Sequence, residues 1–219
     1  MSRTKIIGFI LLLGVAGAGY WYIDFYKAKI AAKPFTVVVL PDTQEYVRKY
    51  HGIFKKQTQW ILDNRNELNI KFVAHMGDIV HNHNQIEKEW EEASESMALL
   101  EGVVPHSVLP GNHDMDYDFR EDGLNMYNKY FPVSRYDKFS WYKGNRKENA
   151  NSYQLITVQT VDKPLDLLFI SLEIEPSDND LAWANDIVKA HPDAYTIVST
   201  HKYLSDKGKL DTKREYSRE

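Results

Sequence analysis

Four short groups of residues have the types and spacing to hold a metal ion or move a proton: Asp42-Thr43-Gln44, Gly77-Asp78, Gly111-Asn112-His113-Asp114 and Thr200-His201. Their donors are carboxylates, carboxamides and imidazoles, a set that suits Mn, Fe, Zn or Mg rather than a soft, thiolate-loving ion. The sequence contains no cysteine, so disulfides and thiolate zinc sites are both excluded. Taken singly the groups say little. A Gly-Asp pair is nearly always a turn, and an Asp at a strand end is usually a helix cap.

Their common position gives them meaning, because each follows an apolar run that reads as a strand. Phe35–Leu40 is rich in β-branched residues and is expected to be a strand buried on both faces. Ile70–Ala74, Val104–Leu109 and Ala194–Thr200 precede the other three groups, and Ser152–Val158 and Leu167–Leu172 read as two further strands. Helices are expected between them. One spans Ile53–Leu68, with Trp60 and Ile61 facing inward. A second spans Gln85–Glu101, where Ile86, Trp90, Ala93, Met97 and Leu100 recur at helical spacing and Gly102 is a stop. A third runs from Asp178, as its cap, to His191, with Leu181, Ala184 and Val188 on one face. Alternating strands and helices indicate an α/β domain with largely parallel pairing, whose functional groups gather at the carboxyl ends of the strands. All four groups obey that rule.

In order and context these groups resemble the calcineurin-like metallophosphoesterases. That family's pattern runs Asp-x-His, Gly-Asp, Gly-Asn-His-Asp/Glu, a His after a strand, then Gly-His-x-His. Gly111-Asn112-His113-Asp114 matches the most specific element in full, Gly77-Asp78 matches the second and Thr200-His201 the fourth. The resemblance covers Phe35 to His201 and implies a layered α/β sandwich with mixed, largely parallel sheets. It implies two divalent or trivalent metal ions (Mn, Fe, Zn or Mg) and a phosphate-ester substrate. Asp42, Gln44 and Asp78 would hold the first ion. Asp78, as the bridge, would hold the second with Asn112 and His201. By the same resemblance His113 is the general acid, oriented by Asp114. Two departures stand out. Gln44 replaces the imidazole of the first motif, and no Gly-His pair occurs in the chain. The second departure leads us to expect a domain, residues 34–219, that is incomplete at its C-terminus. The alternative is a non-catalytic member that binds a phosphorylated ligand or partner.

Residues 1–33 are of another character. Arg3 and Lys5 precede an uncharged run from Ile6 to Ile23, long enough for a helix of roughly 27 Å at ~1.5 Å per residue. Ala16-Gly17-Ala18 would suit cleavage of a signal segment. The run continues through Tyr20, Trp21 and Tyr22 with Lys27 beyond, which favours an uncleaved membrane anchor, and either reading places the domain outside the cytoplasm. The net charge of −4 gives no basic field to capture nucleic acid. Of the remaining histidines, His81 and His83 read as solvated loop residues, and His75, His106 and His191 as structural. His51 with Tyr46 could line the pocket. Trp60, Trp90 and Trp183 read as core, and the aromatics Tyr117, Phe119, Tyr127, Tyr130 and Phe131 as either a specificity wall or a satellite core.

Overall fold

The computed structural model describes Tyr22 and residues 34–116, 123–160, 163–204 and 207–209. The chain divides into two compact units, Met1–Pro34 with Gln159–Leu165, and Phe35–Val158 with Asp166–Glu219. Apart from Tyr22, the expected membrane segment lies outside the described residues. Among those described, no helix is long and apolar enough to cross a membrane.

The four candidate groups all belong to the second unit. Its strands are β1 (Thr36–Leu40), β2 (Ile70–His75), β3 (His106–Ser107), β4 (Tyr142–Arg146), β5 (Asn151–Gln159), β6 (Pro164–Leu172) and β7 (Tyr195–Thr200), with the outer ends of β5 and β6 in the first. Its helices are α1 (Gln44–Arg48), α2 (Ile53–Asn64), α3 (Glu87–Ala98), α4 (Asn125–Tyr130) and α5 (Asp178–Ala190). A three-stranded sheet, β1-β2-β3, is wholly parallel. The second sheet, β4-β5-β6-β7, is mixed, with β4 antiparallel to β5 and β6 parallel to β7.

Alternation along β2 and β6 shows how the layers meet. Phe72 of β2 stacks on Phe169 of β6, ring centroids 3.7 Å apart and planes 4° from parallel, so the sheets touch through these faces. On its other face β2 presents Val73 to a core formed with Phe54 and Ile61 of α2 and Trp90, Ala93 and Met97 of α3. The other face of β6 presents Leu168, Ile170 and Leu172 to Ala184 and Ile187 of α5. The order is helices, sheet, sheet, helix, the layered α/β sandwich expected. Both inner strands are mainly apolar because both of their faces are covered over most of their length.

Four local expectations are corrected. β1 is not buried on both faces: it sits at the edge of its sheet, and Val39 is 55% exposed. Trp60 is also exposed, because the buried stripe of α2 runs through Phe54, Thr58 and Ile61 and Trp60 lies off it. The run Val104–Leu109 contributes only His106–Ser107 to the sheet. Pro105 and Pro110 flank it, and proline has no N–H to offer a ladder. The cap of α5 is Ser177, not Asp178. Ser177 and Asp180 satisfy each other's backbone N–H reciprocally, and the inward stripe is Asp180, Ala184 and Ile187 while Leu181 is exposed.

Candidate active site

Two glycines let two loops approach more closely than any side chain would permit. A Cβ on Gly111 would lie 2.2 Å from Asp78 Oδ1, and one on Gly77 would lie 2.7 Å from the Gly111 nitrogen. Gly77 has φ +89° and Asp78 φ +49°, so the turn after β2 is left-handed over two successive residues. For Asp78 that conformation is uncommon, and such backbone strain clusters at functional sites. The strain is held by cross-links. Thr43 and Gln44 both donate their N–H to the Asp78 carbonyl, at 3.1 and 3.0 Å, fixing the loop after β1 to the loop after β2. Buried Thr43 also donates its hydroxyl to the Ile79 carbonyl and lies 3.0 Å from His75 Nε2. Burial pushes the His75 ring down to about 3, so it is neutral and structural, as expected.

Asp78 is where the side chains converge. Gln44 donates its Nε2–H to Asp78 Oδ2 at 3.0 Å, and the His113 backbone N–H donates to Oδ1 at 2.9 Å. His201 Nε2 lies 3.4 Å from Oδ2. The His201 ring donates from Nδ1 to the Met76 carbonyl at 2.8 Å, which turns Nε2 toward Asp78, the usual arrangement of a metal-ligating histidine. Burial alone would lower the His201 value, but the hydrogen bond and charge of Asp78, the Met76 carbonyl and Asp42 hold it up to about 9. Asp42 Oδ1 stands 3.8 Å from His201 Nδ1, and its carboxyl is raised by burial and by the Asp78 charge against the opposing pull of His201. Burial opposes ionisation of Asp78 too, yet its hydrogen bonds and proximity to His201 and His113 hold it below the ordinary carboxylate range. Asn112 opens the turn beside Gly111 and is half-buried.

Among the described residues no three His, Cys, Asp or Glu side chains form a metal cluster by themselves. A donor set at this place would need the carboxamides of Gln44 and Asn112 as well as Asp42, Asp78 and His201. Oxygen and imidazole donors around two close carboxylates fit a hard or borderline cation, which would relieve their repulsion.

His113 is placed differently from the expectation. Its ring is oriented not by Asp114 but by the His81 carbonyl, which accepts from His113 Nδ1 at 2.8 Å. The ring is stacked between His81 and His83, with centroids 4.8 and 5.3 Å away. Asp114 points back instead. Its fully buried carboxylate accepts from the N–H groups of Ile79, Val80 and Gly111 at 2.8, 3.0 and 2.8 Å. Burial pushes it up to about 7, with the Asp78 charge adding to the rise and those three N–H donors opposing it. At the third position of the turn, Asp114 faces Gly111, the residue that caps it, so it clamps the loops after β2 and β3 together.

Other residues resolve as well. His51 pairs with Glu92 at an exposed position, and Tyr127 and Phe131 are core, while Tyr117 and Phe119 lie outside the described residues. Sequence reasoning missed Glu89, whose 4% exposed carboxylate accepts from the N–H groups of His81 and Asn82, both at 2.9 Å. The signal was present: Glu89 falls on the same helical stripe as Trp90, Ala93 and Met97, where a charge needs buried partners.

A two-sheet α/β sandwich that brings carboxylates, carboxamides and imidazoles to the ends of parallel strands has the architecture of a metal-site protein. Residues 35–218 match the calcineurin-like phosphoesterase family, and the chain belongs to that family. It is 40% identical over 171 residues to the uncharacterized protein YvnB of Bacillus subtilis (strain 168). The match covers 78% of this chain and spans only 13% of YvnB. Among solved structures, the purple acid phosphatase PPD1 from yellow lupin (Lupinus luteus) seeds shares the fold at TM-score 0.51 and 14% identity, over 83% of this chain and 34% of that one. A dimetal phosphatase from Danio rerio aligns at TM-score 0.44 and 14% identity over 78% of this chain and 70% of its own, too slight a likeness to argue from.

Proposed function

We propose that this domain hydrolyses phosphate esters with the help of two metal ions held at the junction of the loops after β1, β2, β3 and β7. The observation that carries this reading is the convergence of Gln44, His201 and the His113 backbone on the single carboxylate of Asp78. Asp42, Gln44 and Asp78 would hold one ion, and Asp78, Asn112 and His201 the other. When bound, such ions supply Lewis acidity and a water acidified toward neutral pH. The protein's own part is positional and acid–base. With Nδ1 engaged by the His81 carbonyl, His113 has Nε2 left to carry a proton to the departing ester oxygen. The fixed loops hold the His113 backbone against Asp78.

Two substitutions test the reading. Asp78→Ala is expected to abolish both calorimetric Mn or Zn binding and turnover. His113→Ala is expected to keep the metal and lose ~10²–10⁴-fold in rate on an alkyl phosphate, since that is what a positioned acid contributes. The loss should shrink on a nitrophenyl ester, whose leaving group needs little protonation. Equal losses on both esters would remove His113 from the role of acid, and full metal binding by Asp78→Ala would overturn the site.

The length of the run from Ile6 to Ile23, its lack of charge and the aromatics at its end support a domain tethered on the far side of the cytoplasmic membrane. Fractionation of the full chain tests this, and recovery in the soluble cytoplasmic fraction would refute it.

A further inference from the structure

A carboxamide is an ambiguous ligand. An imidazole presents its lone pair along one direction, whereas a half-turn of a glutamine's terminal amide puts N–H₂ where the oxygen was. Gln44 therefore needs a partner that decides which atom faces the metal site, and His81 lies against it. His81 Nδ1 is 2.9 Å from Gln44 Oε1, so as placed the ring donates to the oxygen while the amide nitrogen donates to Asp78 Oδ2 at 3.0 Å. Glu45 Oε1 lies 3.4 Å from the same Nδ1 and favours this protonated form of that nitrogen.

The opposite orientation is also open to the amide, although it turns the His81 Nδ1 lone pair toward Glu45 Oε1. A half-turn of the amide puts Oε1 on the Asp78 side, about 3.0 Å from Oδ2. That is roughly the separation of two oxygens bound at right angles to one cation with bonds of ~2.1 Å. The amide N–H₂ would then face His81 Nδ1, which accepts when its proton sits on Nε2 instead. The ring can be donor in one arrangement and acceptor in the other without moving.

His81 is also held in place. Buried Glu89 grips its backbone N–H and that of Asn82, Trp90 donates from Nε1 to the His83 carbonyl at 2.6 Å, and the His81 ring stacks on His113 at 4.8 Å. Its carbonyl in turn orients His113. One loop residue thus touches both a candidate metal ligand and the candidate acid.

We propose that His81 is a positioning residue that orients the Gln44 carboxamide, directing its oxygen to the metal by accepting from its N–H₂. The proposal rests on the metal-site reading above and goes beyond it by assigning a role to a residue outside the ligand set.

The test is a double-mutant cycle read by calorimetric Mn titration of the full chain. His81→Ala is expected to weaken the affinity of one ion by ~10–100-fold, the usual effect of losing a partner that orients a ligand. In a Gln44→His background the same change should cost less than about 3-fold, because an imidazole ligand needs no amide orientation. Equal losses in both backgrounds, or no loss in either, would overturn the proposal. His81→Gln guards against collapse of the loop and should retain part of the affinity, and metal-free melting of each variant checks the fold. Nitrogen NMR of the unmutated protein supplies an independent readout: metal should move the His81 proton from Nδ1 to Nε2, and an unchanged tautomer defeats the idea. If the unmutated chain binds no Mn, the parent reading fails and this one with it. If it binds Mn and the cycle shows no coupling, only this one fails.

Discussion

Two buried polar regions sit in the same half of the domain and are built on opposite terms. At the junction of the loops after β2 and β3, Asp114 is fully buried and its oxygens are saturated by backbone N–H donors from Ile79, Val80 and Gly111. Around β3, by contrast, His106 Nε2, Ser107 Oγ and the Tyr136 hydroxyl are buried with no hydrogen-bond partner among the described residues. Tyr136 meets the His106 ring edge-on at 5.6 Å, an aromatic contact in place of a polar one. A satisfied buried carboxylate fixes position, and here it fixes the loops that carry Asp78 and His113. Unpaired hydroxyls fix nothing and reduce stability, since leaving a buried donor or acceptor without a partner costs about 1–3 kcal/mol. Polar burial alone therefore does not mark the functional end of this molecule. Saturation of the buried groups by loop backbone does.

The contrast can be broken at its strong side first. Asp114→Asn keeps the shape but turns one acceptor into a donor facing N–H groups. We expect a loss of about 2–4 kcal/mol, on the scale of one or two unsatisfied buried groups, and weakened metal binding through displaced loops. A shift in the urea midpoint with unchanged slope is the measurement, and a variant as stable as the parent would show the clamp to be dispensable.

Next comes pH. Burial, helped by Arg135 and opposed by the Val104 carbonyl and Glu101, lowers His106 to about 4 from an ordinary 6.5. A depressed histidine is neutral in the fold while the unfolded chain takes up a proton, so its contribution is complete above about 6.5 and is lost as pH falls toward 4. The total is about 3 kcal/mol at most, at 1.36 kcal/mol per unit. His75 acts in the same direction, whereas His201, raised to about 9, contributes stability below 6.5 that is lost as pH rises. Denaturant midpoints between pH 7 and 4 should fall less steeply for His106→Gln, and an unchanged slope would show that His106 is protonated in the fold.

The smallest effect is the sharpest discriminator. Tyr136→Phe removes a hydroxyl that has no partner among the described residues, so stability should be unchanged or higher by up to about 1 kcal/mol. A measurable loss of stability would mean that the hydroxyl does have a partner and that the two regions are alike.

Much of this was readable in the residues themselves. Apolar runs ending in Asp42, Asp78, Asn112 and His201 announced strands with chemistry at their carboxyl ends. The stripe of Ile86, Trp90, Ala93, Met97 and Leu100 announced α3; the last four are fully buried, whereas Ile86 caps the helix and is exposed. Where periodicity misled, the cause was non-local. Trp60 and the β1 run have core-like composition, but nothing among the described residues covers Trp60 or the outer edge of β1.

The sequence by itself determined the family, the donor types and the alternation of the main strands and helices, though not α1, α4 or β4, because these depend on local pattern and on side-chain chemistry. Only the tertiary structure decided that Gly77 and Gly111 lie against each other, that Asp114 faces backward to clamp two loops, and that His81 rather than Asp114 orients His113. Those outcomes depend on contacts between residues more than thirty positions apart, and backbone N–H groups, which carry most of them, are the same at every non-proline position and leave no trace in the sequence.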